Sequence, residues 1–294
     1  MTIPAPTPED VRSELEAVGL LLDRRAATAV WMARTLGRPL LVEGPPGVGK
    51  SELARALALS SGRQLSVLHG HEQLDREEAV YAWDHAAQLL YLERVRADGL
   101  SGRDSGSADV LHTDQFLIER PLLQALRADG GAVLLIDEVD RTEEAFEALL
   151  LEFLDRFEVT INGVGTVTAK VEPWVILTSN DTRELTGALR RRCLRVGFQY
   201  PDAATECAIL RRRTTLSDET CQWIVDALGR LRGANLRNPP GVSDGIDWGL
   251  ALTALGIVDR NDPGVVDTLP VVIKTGDDLQ VTEGRWRELI VGAK

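Results

Sequence analysis

Apolar residues recur at helical spacing through residues 11–36, where Leu15, Val18, Leu22, Ala26, Ala29 and Met32 follow one another every three or four positions. This predicts one or two helices. The pattern then changes. Pro39-Leu40-Leu41-Val42 is a short unbroken apolar run ending in glycines, as expected of a strand buried on both faces of a parallel sheet. Leu65-Ser66-Val67-Leu68, Ala132-Val133-Leu134-Leu135-Ile136 and Trp174-Val175-Ile176-Leu177-Thr178 repeat it, and Arg195-Val196-Gly197-Phe198 supplies a candidate fifth strand. Helical patterns lie between them. The clearest is Phe146, Leu149, Leu150, Phe153 and Leu154 behind the N-cap candidate Thr142. Strands alternating with helices predict an α/β fold on a five-stranded parallel sheet.

Two stretches interrupt the alternation. Gly99-Leu100-Ser101-Gly102-Arg103-Asp104-Ser105-Gly106-Ser107 reads as a loop between helical stretches. Phe157, Val159 and Ile161 alternate with polar residues, then come Asn162-Gly163, Val164, Thr166 and Thr168, which predicts a hairpin projecting from the sheet core. From Pro201 onward the patterns are purely helical, over 203–214, 218–231 and 248–258, with a loop at Asn238-Pro239-Pro240-Gly241. The expected division is an α/β domain over residues 1–200 and a small helical domain with a tail over 201–294. Val271-Val272-Ile273 fits either a late strand or a loosely packed tail.

Composition narrows the class. With 44% apolar residues in 294, the chain has enough material for a globular core. Its formal charge of -12 opposes nucleic acid and anionic membranes as general partners, so any DNA contact would be local. Cys193, Cys207 and Cys221 show no paired spacing and read as reduced thiols. The start lacks a basic segment followed by an apolar stretch, and no run approaches the roughly 18 apolar residues of a membrane span. A cytoplasmic protein without a transmembrane segment is expected.

The chemistry begins at Gly44-Pro45-Pro46-Gly47-Val48-Gly49-Lys50-Ser51, which fits GxxxxGK[ST] between a predicted strand and a helix opening with Glu52. Glycines let backbone N–H groups turn inward around phosphates, Lys50 reaches the β and γ phosphates, and the Ser51 hydroxyl ligates Mg²⁺. Asp137-Glu138 stands at the C-terminal end of a buried strand, where open α/β sheets hold ligands. There Asp137 would hold Mg²⁺ and Glu138 would polarise the attacking water. No NKxD guanine-reading motif occurs, which favours ATP over GTP. Asn180 ends the next strand, either as a turn former or with its amide near the γ-phosphate. Arg190-Arg191-Arg192 is either a solvated basic face or the source of a guanidinium for a neighbouring subunit's transition state.

In this order, the 44–51 segment, Asp137-Glu138, Asn180 and Arg190-Arg191-Arg192 resemble the Walker A, Walker B, sensor 1 and arginine-finger series of AAA+ ATPases. His71-Glu72-Gln73-Leu74-Asp75, Tyr81-Ala82-Trp83-Asp84, Gln88-Leu89-Leu90 and the hairpin look like the helix-2 insert (about 69–115) and pre-sensor-1 hairpin (about 157–169) of the MoxR group. Pro239-Pro240 and Asp247-Trp248 are similar to the CoxD branch, accessory ATPases of carbon monoxide dehydrogenase and related molybdenum hydroxylases.

The resemblance implies a helical lid domain, a homo-oligomeric and usually hexameric ring with ATP between subunits, a partner carrying a von Willebrand A domain, and a protein client, possibly a metalloenzyme. It places the finger at Arg192, the arginine before Cys193, and the catalytic set at Lys50, Glu138, Asn180 and Arg192. MoxR proteins often carry a sensor 2 arginine in a Ser-Pro-Arg context. Gly241-Val242-Ser243-Asp244-Gly245 has none, and Arg237 is the substitute the sequence offers. The leading expectation is a client-remodelling ATPase. A nucleic-acid motor would share this core but expose a basic patch, and a small-molecule P-loop kinase would act as a monomer on a bound acceptor.

Overall fold

The computed structural model describes residues 6–97 and 108–292; the glycine- and serine-rich stretch at 99–107 lies outside them. The apolar runs form β1 (Leu40–Glu43), β2 (Gln64–His69), β5 (Ala132–Asp137), β8 (Trp174–Ser179) and β9 (Leu194–Gly197). Between them lie four shorter strands, β3 (Tyr81–Trp83), β4 (Leu117–Glu119), β6 (Glu158–Ile161) and β7 (Gly165–Thr168). The five long runs make one parallel sheet in the order β2-β5-β8-β1-β9, with Leu41 opposite Leu177 and Leu134 opposite Val175. The order sets the site: β8 lies between β5 and β1, so the C-terminal ends that carry Asp137, Asn180 and Gly44 are adjacent.

Both faces of the sheet are covered, which is why these strands read as continuous apolar runs rather than alternating ones. Val133 and Leu135 join a core with Leu40, Val42, Leu53 and Leu57. Leu134 and Ile136 turn to the opposite core with Leu126, Phe146, Leu150 and Phe153. The single helical pattern over 11–36 resolves into two helices, Pro8–Ala17 and Arg24–Leu36, each with an acid or hydroxyl cap: Thr7 on Asp10 N–H and Asp23 on Ala26 N–H.

Several expectations need correction. Thr142 is not the N-cap of Glu144–Arg156; that position is Glu143, and the Thr142 hydroxyl donates instead to Val139 O at 2.8 Å. The β6–β7 hairpin forms with Ile161 opposite Gly165, but its apolar edge does not project, because Phe157, Val159 and Ile161 are buried against the core. The insert carries an unexpected antiparallel pair, β3 with β4, each too short for periodicity to reveal. The third C-terminal helix starts at Val242 and ends at Leu255, so Gly241-Val242-Ser243 is a helix N-terminus. Val271-Val272-Ile273 is neither strand nor loose tail: Val272 and Ile273 are buried beside Trp223, Trp248, Leu289 and Ile290 in a core made by the C-terminal helices.

Candidate functional site

The phosphate loop joins β1 to the helix Lys50–Ser61. That helix opens on Gly49 at φ 91, a left-handed cap that a side chain would strain. Lys50 is only 7% exposed, and its Nζ donates to Gly44 O and Pro45 O at 2.8 Å and to Asn180 Oδ1 at 2.7 Å. Burial pulls its pKa below the usual lysine value, against the attraction of Asp137, Asp140 and Glu138.

The hydroxyls of Ser51 and Thr178 both donate to Asp137 Oδ1 at 2.6 Å, and Thr178 Oγ1 in turn accepts the Glu138 N–H at 2.8 Å. Two hard oxygens, Ser51 Oγ and Asp137 Oδ1, thus converge beside the phosphate loop, a donor set suited to Mg²⁺. Glu138 takes a left-handed backbone, φ 56, immediately after the strand end. Its Oε1 accepts from Asn180 Nδ2 at 3.0 Å and its Oε2 from Arg141 Nη1 at 2.8 Å. The Asn180 amide therefore bridges the lysine and the glutamate.

Sequence reasoning missed the groups that hold this amide in place. Asp140, 2% exposed, accepts the N–H groups of Asn180 (3.2 Å) and Thr182 (2.9 Å) and the Thr182 hydroxyl (2.6 Å). Burial alone would raise the Asp140 pKa, but these donors outweigh it and hold the carboxyl below its ordinary value. The signal was visible as a third acid two residues after Glu138, with nothing to say that it faces inward.

A cavity of about 1150 Å³ runs from the phosphate loop past Leu22, Tyr200 and Ile209 to the C-terminal helices, and Asp137, Glu138 and Asn180 line it. Ser243 lines it too, and the Val242 N–H donates to Gly47 O at 2.8 Å. Arg190, Arg191 and Arg192, on the helix Gly187–Arg192, are not among its lining residues. Buried Glu147 fixes the start of that helix through Thr186 N and Oγ1 (2.8 and 2.6 Å), and Arg38 caps its end on Arg192 O at 3.0 Å. Arg190 pairs with Glu184 at 2.7 Å, and Arg192 donates to Leu154 O at 2.5 Å. Among the described residues the Arg191 side chain has no partner. Arg237 pairs with Asp277 at 3.0 Å and does not line the cavity.

Residues 39–193 match the model of the AAA domain, dynein-related subfamily. The chain belongs to that family. Its fold is the P-loop AAA fold that the strand order describes. It is 23% identical to Protein NorQ of Paracoccus denitrificans over 76% of this chain and 74% of that protein. It is 24% identical to the gas vesicle ATPase GvpN2 of Halobacterium salinarum over 74% of this chain and 62% of that one. Chaperone protein ClpB 2 of Parasynechococcus marenigrum is 32% identical over 58% of this chain, which spans only 17% of that relative's length. ClpL of Lactococcus lactis is spanned over 16%. Among solved structures, the Thermotoga maritima RuvB Holliday junction branch migration motor aligns over 90% of this chain and 68% of its own, at 20% identity and a TM-score of 0.45. Among the described residues no helix is long and apolar enough to cross a membrane.

Proposed function

We propose that this AAA ATPase is a MoxR-type remodelling machine that works as a ring, usually a hexamer, with ATP at each subunit boundary. The observation that carries this reading is the position of the arginine helix. Gly187–Arg192 is anchored at both ends by Glu147 and Arg38, yet none of its three arginines lines the chain's own nucleotide cavity. A second copy would supply the missing cation in a heterologous, ring-closing contact.

In this reading Gly44, Pro45, Pro46, Gly47, Val48, Gly49 and Glu52 shape the phosphate site, and Lys50 moves from its carbonyls to the phosphates. Ser51 and Asp137 would hold Mg²⁺, which neutralises charge on the phosphate oxygens. Glu138 orients the attacking water and takes its proton, and Asn180 keeps the glutamate and that water in register. Arg192 is the finger. The similarity to NorQ and GvpN2, together with the resemblance to MoxR and CoxD proteins, supports a protein client and a von Willebrand A domain partner. The proposed client class is a molybdenum hydroxylase such as carbon monoxide dehydrogenase. The division into an α/β domain (1–200) and a lid with tail (201–294) belongs to the same reading.

Light scattering with ATP turnover across a dilution series tests the ring. Specific activity should fall as nucleotide-dependent oligomers dissociate. Full activity in a chain that stays monomeric throughout sinks the proposal.

A further inference from the structure

The C-terminal helices contribute one basic residue to the lining of the nucleotide cavity, Arg213, at the end of the helix Ala203–Arg213. Three arginines close that helix, and each faces something different. Arg211 pairs with Asp218 at 2.8 Å and Arg212 with Glu16 at 2.7 Å; Glu16 lines the cavity, but neither of these two arginines does. Arg213 reaches across to the phosphate-loop helix, where its Nη2 donates to Glu52 Oε1 at 2.9 Å. Glu52 is the residue after Ser51, so this guanidinium rests one residue from the phosphate loop.

The placement is fixed. Helix Val242–Leu255 is tied to the phosphate loop by the Val242 N–H to Gly47 O bond. The Arg213 helix packs on it through Leu210, whose Cδ2 would lie 3.9 Å from a Cβ at Gly245, and the helix Asp218–Arg232 wedges in closer, with Leu228 Cδ1 at 2.5 Å. The backbone contact therefore sets how far Arg213 stands from a ligand on the loop. Its present partner is a weak hold, because Arg213 and Glu52 are 46% and 40% exposed and water competes for both. A polyphosphate offers a guanidinium more charge and paired oxygens than one half-exposed carboxylate does.

From this geometry we infer that Arg213 is a nucleotide-binding residue, which leaves Glu52 for a phosphate oxygen of the bound nucleotide. The inference rests on the reading of this cavity as the nucleotide site. It gives the lid a phosphate contact at the end of its first helix, although the N-terminus of Val242–Leu255 and Arg237 supply no cation there.

The test is titration calorimetry with ADP and adenosine on the full chain, neither of which is turned over by an ATP hydrolase. Arg213→Gln should weaken ADP roughly tenfold, the effect of losing a charge-assisted hydrogen bond, and change adenosine less than about twofold. Arg213→Lys should recover part of the loss. Arg213 is 46% exposed, and circular dichroism would check the fold of both variants. An unchanged ADP-to-adenosine ratio in Arg213→Gln overturns the inference, whether both affinities stay or both fall. A wild-type chain with no preference for ADP over adenosine overturns the nucleotide-site reading itself, and this inference with it.

Discussion

Asn180 donates from Nδ2 to Glu138 Oε1 at 3.0 Å while its Oδ1 accepts from Lys50, so one amide sets the distance between the phosphate-binding cation and the candidate base. Asn180 and Glu138 directly follow the ends of the neighbouring strands β8 and β5, and Lys50 opens the helix after the phosphate loop, so each partner is held by a regular element. Replacing Glu138 by Gln keeps the shape and removes the base. ATP binding should survive, with turnover reduced on the order of 100-fold or more. Turnover within a factor of two of wild type would take Glu138 out of the catalytic role.

The other Glu138 oxygen is paired with Arg141 at 2.8 Å, and that side chain is 62% exposed. A carboxylate shared between an amide and a guanidinium is less available to a water proton. Arg141→Ala should therefore raise basal ATP turnover, roughly two- to fivefold for an exposed pair worth up to about 1 kcal/mol. Steady-state assays that find a fall instead would show that Arg141 supports the site rather than restrains it.

Strand patterning made the sheet legible in the sequence because β1, β5 and β8 are buried on both faces, and the motif spacing then placed Asp137 and Asn180 at adjacent strand ends, with Lys50 on the helix after the phosphate loop. What stayed hidden depends on long-range partners. Asp140 looks like any acid after a Walker B pair until the Thr182 loop closes over it. Thr178 looks like a strand residue until Asp137 and the Glu138 N–H meet its hydroxyl. Thr142 satisfies the local rule for an N-cap, yet tertiary packing buries it in the preceding turn. Arg213 carries no local signal at all, since its neighbours Arg211 and Arg212 have the same chemistry and point elsewhere.

Cys193 sits directly behind Arg192, and burial pushes its pKa from 9.0 up to about 12, against the pull of Arg38 and Arg192. The unfolded thiol loses its proton first, so the folded state binds more protons between those values. Stability must then fall as pH rises from about 9 to about 12, with a contribution on the order of 4 kcal/mol from this group. Burial raises Cys207 and Cys221 as well, adding to the same slope. Denaturant melts at stepped pH should show a flatter alkaline limb in Cys193→Ala than in wild type. Parallel limbs would contradict the assignment.

The contact between Gly47 and Gly241 is close enough that a Cβ on Gly241 would lie 2.5 Å from Gly47 Cα. Beside it runs the Val242 N–H to Gly47 O bond. Val242 is the first residue of its helix and Gly241 is extended, at φ -84 and ψ -177, which suits the residue before a proline. Val242→Pro deletes this donor without straining the Gly241 backbone, and its ring carbon, standing where the amide hydrogen was, pushes Gly47 O away and opens the contact. The fold should persist and ATP affinity should drop roughly three- to tenfold, the value of one hydrogen bond. Equal affinity in a binding titration would mean that the lid and the phosphate loop are not coupled through this bond.

Arg192 must break its bond to Leu154 O, and its 3.3 Å pairing with Asp155, before it can serve a neighbour, whereas the Arg191 side chain has no partner among the described residues. Complementation separates the two. Lys50→Ala subunits have a crippled phosphate site and an intact arginine helix; Arg192→Ala subunits have the reverse. Each alone should be nearly inactive, and in an equimolar ring about a quarter of the interfaces would join a sound phosphate site to a sound arginine. Turnover should recover toward that fraction. Recovery with Arg191→Ala in place of Arg192→Ala, while Arg192→Ala alone stays active, would move the finger one residue back. Silence in both mixtures would place the arginine's action within a single chain and remove the main argument for a shared site.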